Sequence, residues 1–403
     1  MDEIKYTKFD KLSLVYLTML ISGASSFANN DIIKILVMGL YIIYAITHKR
    51  KLYNNTLNYL IFGWCFINIL ASLYFDKAIG FYQFIGKLVL FYTSFLILSC
   101  SNNFWKKFEQ FLYKITIISV VLYIISLIVP NLFVSLSPIF RPFTDEFYLL
   151  KENQRNYFYA FVFVFRDVND VIRNNGFMWE PGAFAMVLNI LIAYNFITND
   201  FKFNRHIKIY IIALFTTFST AGYLSFFLII LLVLLKGRSL FLKVTIITVG
   251  FLSLGWLMTA DFLLPKIQAF IDSAEQGKVS HQGFRALYEA NRILSFKFLF
   301  DKFLLFPIGW GTVSDSVSYM ALNKIVTVNG LGNILVTWGA IGFAWMISSI
   351  IKFFYNLSNS KLTAFILFIS VAVSFFSNPI ENNAILFILV LSPYITTLKN
   401  KNL

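Results

Sequence analysis

Two arginines and one glutamate stand where they could bind a phosphate and move a proton. Arg173 and Glu180 belong to the segment RNNGFMWEPGAFA (173–185), at the start of an apolar run, and Arg292 belongs to a second charged segment. The planar guanidinium of Arg can bind two phosphate oxygens at once, and the N–H groups at a helix start also favour anions. Glu180 could accept a hydroxyl proton or orient Arg173. Pro181 suits a first helical turn, so simple capping by Glu-Pro-Gly is the alternative.

Four further residues, which lie near Arg173 or Arg292 in the sequence, could contact a substrate. They are Arg166, Arg285, His281 and Asn329. Arg285 could take the place of Arg292, because the pattern from about 285 to 306 predicts an amphipathic helix with Arg285, Glu289 and Arg292 on one face. Those charges could equally form a solvated face with intrahelical pairs. A lone loop histidine such as His281 is more often incidental than catalytic, and no spacing in the chain predicts a metal site.

The composition places these residues on a membrane protein. The chain has 403 residues, of which 58% are hydrophobic and only 13% are charged. Soluble domains carry about 25% charged residues. Apolar runs of roughly 20 residues recur, which is the length of a membrane-spanning helix. Barrel strands are about half as long and alternate in polarity, so we predict an all-α polytopic fold.

The apolar runs predict about 12 transmembrane helices in a single integral membrane domain, 1–403. Their predicted ranges are 12–28, 32–47, 57–75, 80–99, 111–130, 180–198, 206–219, 221–236, 243–262, 331–352, 361–377 and 383–398. Asp2, Glu3 and Asp10 dilute the positive start that a signal peptide needs, so we expect the first run to remain as a helix. Lys87 falls in the middle of the fourth run, where a charge either serves function or pairs inside the bundle.

The charge distribution predicts the orientation. The net charge is +14, and more than half of the 34 Lys and Arg fall in the segments that lie inside if both termini are cytoplasmic. Lys and Arg in short loops mark the cytoplasmic side, so this excess predicts a membrane orientation rather than nucleic-acid binding. The orientation requires a break near 219–222, since one long helix over 206–236 would reverse every later loop.

Two long segments, 131–178 and 263–330, then lie outside, on the periplasmic side. Connections longer than about 15 residues are usually functional or disordered, and these are too rich in aromatic and apolar residues to be disordered. The first contains the stretch YFYAFVFVF (157–165), for which we expect either an interfacial segment or a packed re-entrant one. The second contains the predicted amphipathic helix, lying in the outer headgroup region.

Four stretches resemble the superfamily of O-antigen polymerases (Wzy-type) and O-antigen ligases, which are bacterial inner-membrane glycosyltransferases. The stretches are RNNGFMWEPGAFA (173–185), FSTAGYLSFFLIILL (218–232), RILSFKFLFDKFLLFPIGWG (292–311) and NGLGNILVTWGAIGFAWM (329–346). In the ligase branch a histidine precedes the asparagine of the last stretch. Here that position is Val328, before Asn329, so the polymerase is favoured and the general base is left open.

The resemblance implies a GT-C-like architecture and a substrate class. The partners would be undecaprenyl-diphosphate-linked glycan repeat units and membrane lipid, together with a chain-length regulator and a flippase, at the bacterial inner membrane. Arg173 and Arg292 would stabilise the leaving diphosphate. No cofactor is expected, because the donor is already activated. A ligase and a lipid-linked oligosaccharide flippase or transporter are the alternatives, although no clear internal repeat indicates a transporter.

Overall fold

The computed structural model describes residues 6–146, 157–168, 171–236, 280–282, 287–289, 292–315 and 325–395. The described chain is mostly helical, as predicted, with short strands in the two long segments. Five of its helices are long and apolar enough to cross a membrane, and three shorter ones are also apolar. The protein is therefore a helical, membrane-embedded protein.

The helices of the first part of the chain are α1 Lys8–Ser22, α2 Ser26–Asn29, α3 Asp31–Thr47, α4 Asn55–Phe75, α5 Phe81–Cys100, α6 Phe104–Ile128 and α7 Pro130–Phe140. Those that follow are α8 Pro181–Thr198, α9 Arg205–Thr216, α10 Thr220–Leu235, α11 Arg292–Leu305, α12 Gly330–Ser358, α13 Lys361–Phe376 and α14 Ala384–Ile395. Most of the predicted ranges coincide with helices to within a few residues. The first run differs, because Gly23, with φ of 65°, ends α1 before a short separate α2. The predicted span 243–262 lies outside the described residues.

The chain reverses direction between α9 and α10, which confirms the predicted break. Phe218 takes a left-handed conformation, with φ of 50°, and the Ser219 side chain accepts a hydrogen bond from Gly222 N to cap α10. At the far end of α10, the Lys236 Nζ lies 3.8 Å from the centroid of the Phe201 ring, which follows α8. The end of α10 therefore returns to the end of the bundle from which α9 starts.

The connections group at two ends of the bundle. At one, here called the basic end, Lys107 pairs with Asp10 at 2.7 Å, Arg50 binds Asn102, and Glu109 binds His206. At the other, here called the site end, the α1–α2 connection meets the first long segment, for example where Asp145 N donates to Ala24 O. These contacts place the connections before α4 and α6 at the basic end and the connection between α1 and α2 at the site end.

The first long segment forms a packed hairpin rather than an interfacial stretch. Strands β1 Tyr157–Tyr159 and β2 Val164–Val168 are antiparallel, and β3 Val171–Ile172 pairs with β2. The large side chains of both β1 and β2 up to Phe165 are almost fully buried, against α7 among others. Of the two expected arrangements, this burial favours the packed one, because pairing into a hairpin satisfies the backbone while the rings pack inward.

The predicted amphipathic helix over 285–306 begins later than expected. Strands β4 Ser280–Gln282 and β5 Leu287–Glu289 pair antiparallel, and β6 Ile325–Val326 runs parallel to β5. Among the described residues of this range, those from Arg292 to Leu305 form the helix α11. Glu289 and Arg292 therefore do not share a helix face, since the preference of β5 for strand pairing overrides the helical spacing.

Helix α12 is broken in its middle, and a turn of the chain fills the break. Gly339 has φ of 67° and ψ of −176°, so the usual hydrogen bond from Ala340 N to Val336 O is absent. Ala340 N instead donates to Pro307 O, and Trp310 N donates to Val336 O, both at 2.9 Å. The Pro-Ile-Gly-Trp-Gly turn that follows α11 is thereby joined to α12, and it pairs two of the backbone groups freed by the break, the N–H of Ala340 and the C=O of Val336.

This joint predicts that Gly339→Ala destabilises the protein. The conformation is essentially restricted to glycine, and a Cβ there would lie 2.0 Å from Ile308 O. We expect a loss of about 1–3 kcal/mol from the backbone strain alone, and more from the clash. Thermal unfolding of the purified protein in detergent measures it. Gly63→Ala in α4 is the matched control, because a Cβ at Gly63 meets nothing within 4 Å; equal unfolding midpoints for the two variants would contradict the prediction.

Candidate functional site

A short loop between α13 and α14 connects the elements of the site end. This loop, SNPIENN (377–383), is here called the hub loop. Its Asn383 donates to Ile21 O of α1 at 2.7 Å. The backbone oxygens of Phe375 and Asn378 lie so close to Gly330, the first residue of α12, that a Cβ there would meet them at 2.5 and 1.9 Å. The start of α12 is therefore packed directly on the backbone of the hub loop.

Arg173 is anchored by the reversal between α9 and α10. Its Nε donates to Thr217 O at 2.9 Å and its Nη2 to Phe218 O at 2.5 Å. Phe218, with its left-handed backbone, presents that carbonyl beside the carbonyl of Thr217. A guanidinium has five N–H donors, so these two bonds fix its plane without using all of its donors.

Arg292 is anchored by the hub loop. Its Nε donates to Ser377 O at 2.9 Å, and its own carbonyl accepts from Asn329 Nδ2 at 3.2 Å. Asn329 is completely buried and also caps α12, with Oδ1 accepting from Gly332 N at 2.8 Å. Both polar atoms of Asn329 are thus engaged by the protein, and the residue positions Arg292 at the start of α11.

The starts of α8 and α10 meet the hub loop beside these arginines. A Cβ at Gly182 would lie 2.9 Å from Asn378 Oδ1 and 3.8 Å from Ser219 Oγ. Glu180 is the N-cap residue of α8, in an extended conformation, although its side chain makes no capping hydrogen bond. Pro181 does occupy the first turn, as predicted.

Four charged or polar groups act electrostatically on Arg173. Burial is the main cause that lowers the pKa of its guanidinium, and the positive charges of Arg166 and Arg292 lower it further. Glu180 and Tyr223 act in the opposite direction. The charges of Arg166, Arg292 and Glu180 therefore all act on the guanidinium of Arg173. Two like-charged guanidinium groups held near each other form a site for an anion, because a bound anion relieves their repulsion.

A buried lysine is hydrogen-bonded to the hub loop. Lys87 of α5 is 6% exposed, and its Nζ donates to Glu381 O and Asn382 Oδ1. The same Nζ lies 5.7 Å from the Trp64 ring centroid and 5.6 Å from that of Phe387. The Glu381 carboxylate attracts it and accepts from Asn333 Nδ2 at 3.2 Å. The intramembrane lysine thus has the bundle partner that the cost of its burial requires.

For the other predicted site residues the structure gives a position in a strand or no description. Arg166 lies in β2 opposite Tyr157 and is half-buried. His281 lies in β4 opposite Tyr288. Arg285 lies outside the described residues. Within the described ranges, no group of three or more His, Cys, Asp or Glu side chains is placed to hold a metal ion.

The hub loop is the part of the site that the sequence analysis missed. It is short and lies between two apolar runs, so nothing about its length predicts a function. One signal was present: Glu381 is an acidic residue in a short connection of an apolar chain, opposite the buried Lys87. An intramembrane lysine needs a partner, and a search for that partner among the outer connections would have led to this loop.

The contacts of Lys87 predict that Lys87→Met loosens the hub loop. The substitution removes the donor that binds Glu381 and Asn382 and leaves the Glu381 carboxylate without its positive neighbour. Removing hydrogen bonds donated by a charged group in this way costs about 1.5–3 kcal/mol for each bond. Thermal unfolding in detergent measures the loss, and Lys34→Met is the control, because its pair with Asp31 lies within one exposed helical turn. A Lys87 variant no less stable than the Lys34 variant would refute the anchoring role.

Comparisons with known proteins do not identify a family. The chain matches no family model, and no curated protein or solved structure is significantly similar to it. The assignment of function therefore depends on the geometry of the site and on the motifs described above. The geometry shows Arg173 and Arg292 anchored by backbone carbonyls at the site end of a helical membrane protein.

Proposed function

We propose that the chain is a glycan polymerase that acts at the outer leaflet of a bacterial inner membrane. It would transfer a growing polysaccharide from undecaprenyl diphosphate to the terminal sugar of an incoming lipid-linked repeat unit. The observation that carries this proposal is the convergence of Arg173 and Arg292, each held by backbone carbonyls, at the site end of the bundle. The order of the four motifs, and Val328 in place of a histidine, favour a polymerase over a ligase.

The proposed roles follow from the charge that develops during transfer. When the bond between the sugar and the diphosphate breaks, negative charge accumulates on the leaving oxygens. Cations already held in place lower that barrier, because they need no reorganisation during the reaction. Arg173 and Arg292 would supply these cations, with Arg166 contributing positive potential. Glu180 would orient Arg173, on whose guanidinium its charge acts favourably.

The side of the membrane on which the site lies is the first requirement of this function. Single cysteines at Asn30 and Lys51, both exposed, would test it in a variant without Cys65 and Cys100. An impermeant thiol reagent should label Cys at position 30 in intact spheroplasts, and Cys at position 51 only after permeabilisation. The opposite result would place the arginines in the cytosol and remove a lipid-linked donor of the outer leaflet from consideration.

The arginines predict a loss of polymer without a loss of protein. Arg173→Ala and Arg292→Ala should each lower the transfer rate by about 10²–10³, as removal of one preplaced donor typically does. The measurement is the product ladder formed by the purified protein from a lipid-linked repeat unit. Lys297→Ala is the control, because Lys297 lies on the same helix, α11, but is exposed.

The same experiment separates this function from its alternatives. Cells carrying the arginine variants should accumulate single-repeat glycan, since the repeat unit is still exported. A complete loss of surface glycan would indicate a flippase instead. Full ladders from both arginine variants would remove the site assignment.

A further inference from the structure

Glu381 is a half-buried glutamate to which the proposed mechanism has so far assigned no catalytic role. It lies on the hub loop, four residues after Ser377, whose carbonyl anchors Arg292. Its Oε1 accepts a hydrogen bond from Asn333 Nδ2 at 3.2 Å, and the ammonium of Lys87 lies below it, bound to its backbone carbonyl. The carboxylate is therefore held in one orientation at the site end.

Helix α12 and its N-cap bind the Glu381 carboxylate and the backbone of Arg292 at neighbouring positions. Asn329 binds the Arg292 carbonyl and Asn333 binds the Glu381 carboxylate. Asn333 N donates to Asn329 O at 3.0 Å, so the two asparagines are one helical turn apart and share a face. Residues at this spacing have Cβ atoms about 5–6 Å apart. The carboxylate thus lies within about one helical turn of the chain that carries the diphosphate-binding arginine.

Glycosyl transfer to a sugar hydroxyl needs a proton acceptor at such a position. The hydroxyl must lose its proton as its oxygen attacks the anomeric carbon, and the base must lie on the acceptor side of the leaving diphosphate. A glutamate carboxylate is ordinarily ionised near neutral pH and can take that proton. Val328 leaves the start of α12 without the histidine of the ligase branch, whereas Glu381 reaches the same turn of α12 from the hub loop.

We infer that Glu381 is the general base of the transfer, an inference that rests on the proposed function. The acceptor hydroxyl gives its proton to the Glu381 carboxylate, and its oxygen forms the new bond to the anomeric carbon. The bond between that carbon and the diphosphate oxygen breaks, and its electron pair leaves on undecaprenyl diphosphate beside Arg173 and Arg292. Glu381 then releases the proton to water. Lys87 and Asn333 are positioning residues that keep the carboxylate aimed at the acceptor.

The test uses the full-length protein, lipid-linked repeat units as substrate and azide as a second nucleophile. Glu381→Gln should lower polymer formation by about 10²–10⁴, the usual contribution of a general base. Azide has no proton to lose, so it should restore release of undecaprenyl diphosphate in the Gln variant, with formation of a glycosyl azide. It should not do so in Arg292→Ala, in which the leaving group itself lacks its stabilising cation.

The outcomes separate the base from the rest of the proposal. Polymer formation at the wild-type rate by Glu381→Gln, or a Gln variant that azide fails to revive, would overturn the role of Glu381 while leaving the arginine site intact. Failure of the wild-type protein to make polymer would overturn the proposed function instead. Glu381→Asp retains the charge beside Lys87 and serves where the Gln variant does not fold. Its rate should fall between those of the wild type and the alanine variant at the same position, and a rate equal to that of the alanine variant would count against the base.

Discussion

The joint between Gly339 and the turn that follows α11 is the constraint on which the site end depends. An open break in a helix within apolar surroundings leaves an N–H and a C=O unpaired, which costs several kcal/mol. Here the turn supplies both partners, through Pro307 O and Trp310 N. Because Gly309 also approaches the Gly339 backbone without a side chain between them, α11 is fixed at its C-terminal end. The position of Arg292, at the other end of α11, follows from that attachment and from its bond to Ser377.

The hub loop transmits the same constraint to the remaining elements. The hub loop accepts a hydrogen bond from Arg292, packs on Gly330 and Gly182, and accepts hydrogen bonds from Lys87. Burying a lysine charge without hydrogen-bond partners is unfavourable. Separation of α5 from the hub loop would leave Lys87 in that state, so the two elements stay together. Charge buried for this purpose adds little net stability but restricts the loop to one arrangement, which a site for a developing anion requires.

Most of the spans, but little of the two long segments, could be predicted from the sequence. Apolar runs of sufficient length specify helices because lipid offers no alternative partner for the backbone, and the break before Ser219 was visible from its Ser, Thr and Gly residues. The hairpin of Tyr157–Tyr159 with Val164–Val168 and the strand Leu287–Glu289 were not visible. Their structure is determined by pairing with distant residues, and helical spacing at Glu289 and Arg292 was a local pattern that such pairing overrode.

The arginines of the site could be predicted from the sequence, but the groups that bind and position them could not. Arg173 and Arg292 could be singled out by residue type, whereas their acceptors are backbone carbonyls of Thr217, Phe218 and Ser377, which any sequence supplies. A carbonyl becomes a useful anchor only through the fold, here through the left-handed Phe218 and the end of α13. Glu381 could have been found from the sequence. Lys87 lies within an apolar run and needs a partner, and Glu381 is an acidic residue in a short connection between two such runs. The rule that buried charges are paired therefore locates a candidate base that no motif marks.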